Sequence, residues 1–227
     1  MALTNKLSAI GDAIREKTGT TGLLKLDDMP SAIKGIQSGG KYSPRYLYSS
    51  ISFREYTGTE LEHEITMLDT TCLTKMNQMF YNCRNLTNLD LSGWSTSNVT
   101  TMGTMFYSCS NLNKLDLSNF DTSNVTSMSS MFQGCANLTN LDLSSFDTSN
   151  VIDMGTMFFN CSKLKYLDIR NFVFDKVTNY SLTFYAVPND CLIIVKSDIE
   201  RDWILANGGV AFTNIKTVAE YQAEGGV

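Results

Sequence analysis

Apolar and polar residues alternate along the middle of the chain in a pattern that recurs every 26 positions. Residues 86–111 read LTNLDLSGWSTSNVTTMGTMFYSCSN, and residues 112–137 and 138–163 repeat this pattern in the same register. A weaker copy begins near Glu60 and another begins at Leu164. Units of this length rarely bury their apolar side alone, so they stack on their neighbours. The sequence therefore predicts five stacked coils, three of them regular.

The first part of each unit predicts a short strand. Leu89 and Leu91 point to one side of an extended segment, and Asp90 between them points to the other. When the coils stack, equivalent leucines form a column, and we expect one parallel sheet through all of them. The column comprises Leu89, Leu115, Leu141 and Leu167.

The second part of each unit predicts a helical turn. Its apolar residues are spaced by three, three, one and three positions, and Ser97 or Asn98 precedes them as a possible cap. In one unit these residues are Val99, Met102, Met105, Phe106 and Cys109. Their spacing predicts core packing, with a second column formed by Trp94, Phe120 and Phe146.

Irregular segments flank the repeat and are expected to cover its open strand edges. Residues 41–59, KYSPRYLYSSISFREYTGT, predict an N-terminal β cap before the repeat at 60–189. Residues 190–227 predict an α/β C-terminal cap, with a strand at CLIIV, a helix at SDIERDWILAN and a last strand near 212–218.

The N-terminal 37 residues predict a separate attachment module of two helices, followed by a linker at 38–40. The first helix carries an apolar stripe of Leu3, Leu7, Ile10 and Ile14. So short a segment without cysteine or metal ligands rarely forms its own core. We therefore expect residues 1–36 to self-associate or to bind a partner protein.

The repeat unit L-x-x-L-D-L-S-x-F-D-T-S-N-V-x-x-M-x-x-M-F-x-x-C resembles that of the BspA-like leucine-rich-repeat proteins of bacterial surfaces. The resemblance implies a right-handed leucine-rich-repeat solenoid, an α/β repeat with one short parallel strand and a helical turn per coil. It also implies adhesion or protein contact in place of catalysis. The segment LSAIGDAIREKTGTTGLLKLDDMPSAIKGI is similar to N-terminal segments of phage and prophage tail-associated proteins. This similarity implies that residues 1–36, if they do not self-associate, bind other virion proteins.

Composition and charge limit the classes of binding partner that we expect for this chain. The net charge of -5 disfavours nucleic acid, which needs clustered Lys and Arg. No apolar run reaches the roughly 18 residues of a membrane span, so no membrane insertion is expected. The N-terminus also lacks the pattern of a secretory signal, which a virion protein released by lysis does not need.

Metal, cofactor and catalytic chemistry are not predicted. Four of the six cysteines follow the repeat (Cys83, Cys109, Cys135 and Cys161), and there is no C-x-x-C pair, so we expect reduced, buried thiols rather than disulfides or a metal site. The single histidine, His63, lies between Glu62 and Glu64, as is typical of a solvated surface. No nucleophile with a base and no phosphate loop is recognisable, so we expect neither enzyme activity nor a cofactor.

A polar face along the strands is the candidate ligand surface. We expect Asp90, Asp116, Asp142 and Asp168 to form an outward acidic column whose mutual repulsion is offset by turn amides, serine hydroxyls or solvent; a bound cation or sugar hydroxyls are the alternative. Beside them lie Asn88, Lys114, Asn140 and Tyr166. An aromatic column of Tyr81, Tyr107, Phe159 and Tyr185 is a second candidate, suited either to half-buried packing or to a saccharide ring.

These features together predict a phage virion structural protein, on a tail fibre, tail tip or capsid surface, that adheres to the bacterial host. Its expected ligand is a bacterial cell-surface protein or glycan. The alternative is a bacterial surface adhesin or interaction protein of the BspA-like family, and a carbohydrate-active enzyme is a distant third.

Overall fold

The computed structural model describes residues 53–61, 70–71 and 73–226. The elements, in chain order, are β1 (Glu60–Leu61), β2 (Asn88–Leu89), β3 (Asn140–Asp142), β4 (Tyr166–Asp168), β5 (Leu192–Val195), α1 (Asp198–Asn207), β6 (Ile215–Thr217) and α2 (Val218–Ala223). Several predictions fall outside the described residues: the apolar stripe of the first helix, the linker, residues 41–52, His63 and Cys72.

The strands pair in parallel, as expected, but they do not form one sheet. β1 pairs with β2, placing Leu61 opposite Leu89, while β3, β4, β5 and β6 form a separate four-stranded sheet in which Leu141 lies opposite Leu167. Leu115 is buried but belongs to no strand, so the prediction of a single sheet is wrong. The coil around Leu115 is held in register by a second ladder on another side of the stack.

That second ladder is formed by single residues that bridge in parallel from one coil to the next. It runs through Lys75, Thr101, Ser127, Asp153 and Asn179. Each residue is 26 positions from its neighbour, so the ladder repeats with the sequence period. It joins the coils continuously across the gap between the two sheets.

The predicted helical turn is a series of β-turns. Within one coil the Met105 amide donates to the Met102 carbonyl at 3.2 Å, but the Thr104 amide donates to Ser129 of the next coil at 2.8 Å. Alternate amides thus point along the stack, which a helix does not allow because its amides bond within their own segment. Accordingly Thr104 and Ser108 have left-handed backbones, with φ of 57° and 56°.

The polar residues before the turn clamp neighbouring coils instead of capping a helix. The Asn98 side chain donates to the Thr71 carbonyl at 2.7 Å. The buried Thr122 hydroxyl donates to the Asp147 carbonyl at 2.9 Å and accepts from the Asp147 amide at 2.8 Å. Equivalent pairs of bonds are formed by Thr70, Thr96 and Thr148.

The core contains a column of stacked phenylalanine rings, one from each turn segment. Adjacent ring centroids lie 5.2 to 5.8 Å apart. The rings are those of Phe53, Phe80, Phe106, Phe132, Phe158 and Phe184. Trp94, Phe120 and Phe146 are buried as expected, and Trp94 contacts Phe80 at 5.7 Å.

At the C-terminal end, β5, α1 and β6 lie where the sequence pattern predicted two strands and a helix. Ser197 and Glu200 form a capping box that begins α1, and Trp203 of that helix stacks on Phe174 at 4.0 Å. α2 was not predicted. At the other end, residues 53–59 of the predicted β cap contain turns and no strand, and the rest of that cap lies outside the described residues. The Phe53 amide donates to the Met79 carbonyl of the first repeat turn. In the described ranges no helix is long and apolar enough to cross a membrane.

Candidate functional site

An exposed acidic column lies along the strand side of the repeat. Asp90, Asp116 and Asp142 directly follow the buried leucines of their coils, so the chain geometry turns them outward. In each of them Oδ1 accepts the backbone amide of the serine two residues later at 2.9 Å. This turn fixes each carboxylate relative to its own backbone. The turn amides therefore offset the mutual repulsion that we expected between the carboxylates of this column.

Two of these amides favour the charged forms of Asp90 and Asp116. The Ser92 amide, followed by the Ser92 hydroxyl, lowers the pKa of Asp90. Ser118 lowers the pKa of Asp116 in the same way, and the charge of Asp90 opposes this with a smaller effect. The carboxylates of Asp90 and Asp116 therefore repel each other, but the turn amides still favour the charged form of both.

Asp168 does not belong to this outward column, contrary to the prediction. Its side chain is buried and forms an ion pair with Arg170 at 2.6 Å, while the Tyr166 hydroxyl donates to Asp168 Oδ2 at 3.0 Å. Arg170 occupies the place that serine holds in the regular coils. Asp168 Oδ1 still accepts the Arg170 backbone amide, at 3.1 Å, so Asp168 keeps the turn of the regular coils and differs because its carboxylate is covered and paired with the guanidinium. The replacement of serine by arginine was the sequence signal for the end of the column.

A second acidic position, missed by the sequence reasoning, lies five residues after the first. Asp121 accepts the Ser123 amide at 3.0 Å and Asp147 accepts the Ser149 amide at 2.8 Å, and both are exposed. The Ser123 hydroxyl and amide together lower the pKa of Asp121. The D-T-S tripeptide common to both coils was the available signal. The repeat thus presents two rows of carboxylates held by the same kind of turn.

The polar neighbours of the first column divide into exposed and partly covered residues. Asn88, Lys114 and Asn140 are exposed, whereas Tyr166 is half-buried through its contact with Asp168 and its ring contact with Tyr221 at 6.4 Å. Stacked strands are about 4.8 Å apart, so exposed side chains recur at that interval. The surface can therefore contact an extended ligand at several equivalent points.

The aromatic column is less suited to a sugar ring than its composition indicates. Tyr81 stacks on Tyr107 at 4.7 Å, and Phe159 stacks on Tyr185 at 5.1 Å, while Gln133 interrupts the column between them. A saccharide stacks on the face of an aromatic ring, but these faces contact one another. Along its length the column presents mainly ring edges, which favours the packing interpretation.

Comparison of the chain with known protein families finds one family that matches. The family described as "Mycoplasma protein of unknown function, DUF285" matches residues 50–172 and 109–191. These segments cover more than half of the sequence. The chain belongs to the DUF285 family. No curated protein and no solved structure matches it. The matched region contains both acidic rows of this DUF285 chain.

Buried cysteines follow the same period inside this DUF285 repeat. The Cys109 and Cys135 thiols donate to the Phe80 and Phe106 carbonyls of the preceding coil at 3.1 and 3.2 Å. Both are free in the structure, as is Cys161, and all three are buried. The sequence pattern predicted the burial of these cysteines but not the hydrogen bonds that their thiols donate. Across the described ranges, no group of three or more His, Cys, Asp or Glu side chains is placed to hold a metal ion.

These thiols predict a loss of stability in alkali. Burial raises the pKa of Cys135 from 9.0 to about 12, so above about pH 9 the unfolded chain loses this proton while the folded chain keeps it. The contribution is fully present below pH 9 and is lost as the pH rises toward 12. We expect Cys135→Ala to flatten the dependence of unfolding free energy on pH in this window by up to about 1.4 kcal/mol per pH unit. Urea titrations at a series of pH values measure this slope, and an unchanged slope would contradict the burial of the thiol.

Proposed function

We propose that this DUF285 chain is a non-enzymatic adhesion protein whose stacked repeat binds a ligand on a bacterial surface. The observation that supports this proposal is the first acidic row, Asp90, Asp116 and Asp142, which turn amides hold outward and which repeats from coil to coil. A ligand that touches several coils gains several weak contacts at once. Because the carboxylates are already fixed, binding orders few side chains.

The acidic rows do not favour catalysis. Acid and base catalysis by paired carboxylates needs two groups whose environments shift their pKa values apart. Here the pKa values of Asp90, Asp116 and Asp121 are all lowered, in each case by a nearby serine. Repetition of one environment suits recognition of a periodic ligand, such as a surface glycan or an extended segment of a surface protein.

The proposal also includes the BspA-like leucine-rich-repeat class. Its support is the spacing of Leu86, Leu89 and Leu91, the parallel pairing of Leu141 with Leu167 and the burial of these leucines. In proteins of this kind each repeat contacts only its neighbours, so a surface can extend without a new core.

For the location we propose a phage virion, with a bacterial cell surface as the alternative. The virion is supported by the likeness of residues 1–36 to segments of phage tail-associated proteins. The alternative of a bacterial protein is supported by the family description, which refers to Mycoplasma, and its surface location by the resemblance to BspA-like proteins. Mass spectrometry of purified phage particles and of bacterial surface fractions distinguishes the two, since the chain is recovered from one and not from the other.

Neutralising the first acidic row tests its role in adhesion. Asp116→Asn combined with Asp142→Asn removes two charges while the amide oxygen still accepts the turn amide. We expect adsorption of the purified protein to host cells to fall at least about tenfold, because two repeated contacts are lost together. Thermal unfolding should change little. Adsorption is measured by cell pull-down across protein concentrations.

The second row supplies the matched control. Asp121→Asn combined with Asp147→Asn makes the same change of charge in the same coils and in the same type of turn. If both pairs reduce adsorption equally, net charge and not the first row governs binding. If neither pair changes adsorption, the acidic rows are not the ligand surface.

A further inference from the structure

Ring stacking and hydrogen bonding join neighbouring coils at the same place on the turn side of the stack. The Tyr185 ring stacks on Phe159 at 5.1 Å, and the Tyr185 carbonyl accepts the amide of the next residue, Asn160, at 2.8 Å. In the same way Tyr107 stacks on Tyr81 at 4.7 Å, and its carbonyl accepts the following amide at 2.7 Å. At these two junctions, one coil therefore receives from the next a flat ring and a carbonyl group that lie close together.

The last coil presents the same two groups with no such coil beyond it. Tyr185 contacts Phe159 through one face of its ring, and the residue is 51% exposed, so the other face is open to solvent. Ala186 is exposed, and its amide has no acceptor among the described residues. Ala186 and its equivalent Asn160 share a left-handed backbone, with φ of 61° and 59°, so their amides point the same way along the stack. The open ring face and the Ala186 amide therefore face outward together.

Leu182 adds a second donor to this surface. The equivalent amide, that of Thr156, donates to the Ser181 carbonyl of the next coil at 2.8 Å, whereas the Leu182 amide has no acceptor within the described part of the chain. The Leu182 carbonyl already accepts the Tyr185 amide at 3.2 Å, and the Leu182 side chain is 50% exposed. Leu182, Tyr185 and Ala186 are here called the end site. They combine one aromatic face, one apolar side chain and two amide donors, and none of the three is charged.

This combination fits a sugar ring that carries an N-acetyl group. The C–H side of a sugar ring packs on an aromatic face, and the acetamido carbonyl supplies the kind of acceptor that the preceding coil receives from Tyr185. A sugar ring is rigid, so a small site can hold it at little cost in conformational entropy. A peptide would lose entropy at each residue that the site orders, and so few contacts do not offset that loss.

We propose that the end site binds an N-acetylated sugar residue. The sugar ring packs on the outer face of Tyr185, and its acetamido oxygen accepts the Ala186 amide. The Leu182 amide donates to another oxygen of the same sugar. The end site contains none of the carboxylates of the acidic rows, so this proposal does not rest on the role given to those rows.

Binding of the trisaccharide of N-acetylglucosamine to the full-length protein tests the proposal. We expect the backbone amide resonances of Leu182 and Ala186 to shift in an NMR titration. Those of Thr104 and Ser108 should not, because these amides are already paired with the next coil. Cellotriose has the same linkage with hydroxyls in place of the acetamido groups. It should bind at least about tenfold more weakly, which corresponds to the loss of one hydrogen bond.

Substitutions of Tyr185 test the contribution of the ring face. Tyr185→Phe keeps the face, as Phe159 does in the preceding coil, and should leave binding unchanged. Tyr185→Leu removes the face and should weaken binding about tenfold. Tyr107→Leu is the matched control, because Tyr107 lies half-buried within the same aromatic column, and it should not alter binding. The remaining resonances of each variant show that it is folded.

Three results would overturn the proposal: no shift at Leu182 and Ala186, equal binding of the two trisaccharides, or equal weakening by Tyr107→Leu and Tyr185→Leu. N-acetyltyrosine amide provides a further comparison. If it shifts these two amides and the N-acetylated trisaccharide does not, the end site takes an aromatic residue of a polypeptide and the sugar proposal is wrong. Each of these results leaves the adhesion proposal unaffected, because no host cell is present.

Discussion

Phe132→Ala is expected to lower the free energy of unfolding by about 3 to 5 kcal/mol, the usual cost of removing a buried ring. Phe132 is fully buried at the middle of the ring column, between Phe106 at 5.6 Å and Phe158 at 5.8 Å. The coils above and below are fixed by backbone bonds, so they cannot easily close the cavity. The ring contacts on both sides are lost with it. Urea unfolding followed by circular dichroism measures the change.

Phe132→Leu is the graded control for this prediction. It keeps much of the apolar volume and loses the ring contacts, so we expect a cost of about 1 to 2 kcal/mol. Equal effects of the two substitutions would mean that volume at this position is unimportant. A loss below about 1 kcal/mol for Phe132→Ala would contradict the close packing of the column.

Thr122→Val is expected to lower the free energy of unfolding by about 2 to 4 kcal/mol with no change in side-chain shape. Thr122 is buried, and its hydroxyl bonds both the amide and the carbonyl of Asp147. Valine leaves both backbone groups without a partner inside the stack. Because the two groups belong to the next coil, the loss weakens the junction rather than one coil.

Two variants isolate the contribution of the hydroxyl. Thr122→Ser keeps it and should cost only about 1 kcal/mol for the lost methyl group. Thr126→Val removes a hydroxyl that bonds the Thr100 carbonyl at an exposed position, where the next coil carries Ile152, and should cost less than about 0.5 kcal/mol. If Thr126→Val proved as harmful as Thr122→Val, the buried pair of bonds would not be the cause.

The features that could best be predicted from the sequence were those that depend on the repeating apolar pattern. Burial of Leu141, Met128 and Cys135 followed from their period because a residue repeated in every coil occupies the same layer of the stack. The strand and helix at the C-terminal end followed from the apolar run at 191–195 and from the segment SDIERDWILAN after it. The outward direction of Asp90 and Asp116 followed from strand alternation.

The turn segment was misread because two backbones share one side-chain pattern. Apolar residues at Met102, Met105 and Phe106 suit a helical turn, but they suit equally a chain of β-turns that buries the same side chains. The positions of the carbonyls that accept from the backbone amides decide between a helical turn and β-turns. These carbonyls lie 25 residues further along the chain. The buried threonines were missed for the same reason, since their partners belong to another coil.

The boundary of the candidate site depended on a single departure from the repeat. By its position in the repeat, Asp168 is one more member of the acidic column. Arg170, two residues later in the sequence, supplies the positive charge that pairs with it. This departure from the repeat marks the end of the acidic column.

The buried threonine hydroxyls and the ladder of single-residue bridges join only adjacent coils. The number of coils can therefore change while the fold of each coil stays the same. Duplicating residues 112–137 would add one coil, lengthen the acidic rows by about 4.8 Å and leave the existing contacts unchanged. Unequal recombination within the repeated coding sequence can supply such a change in one step. If the proposed adhesion function holds, a lineage can therefore extend the binding surface without changing the existing packing contacts.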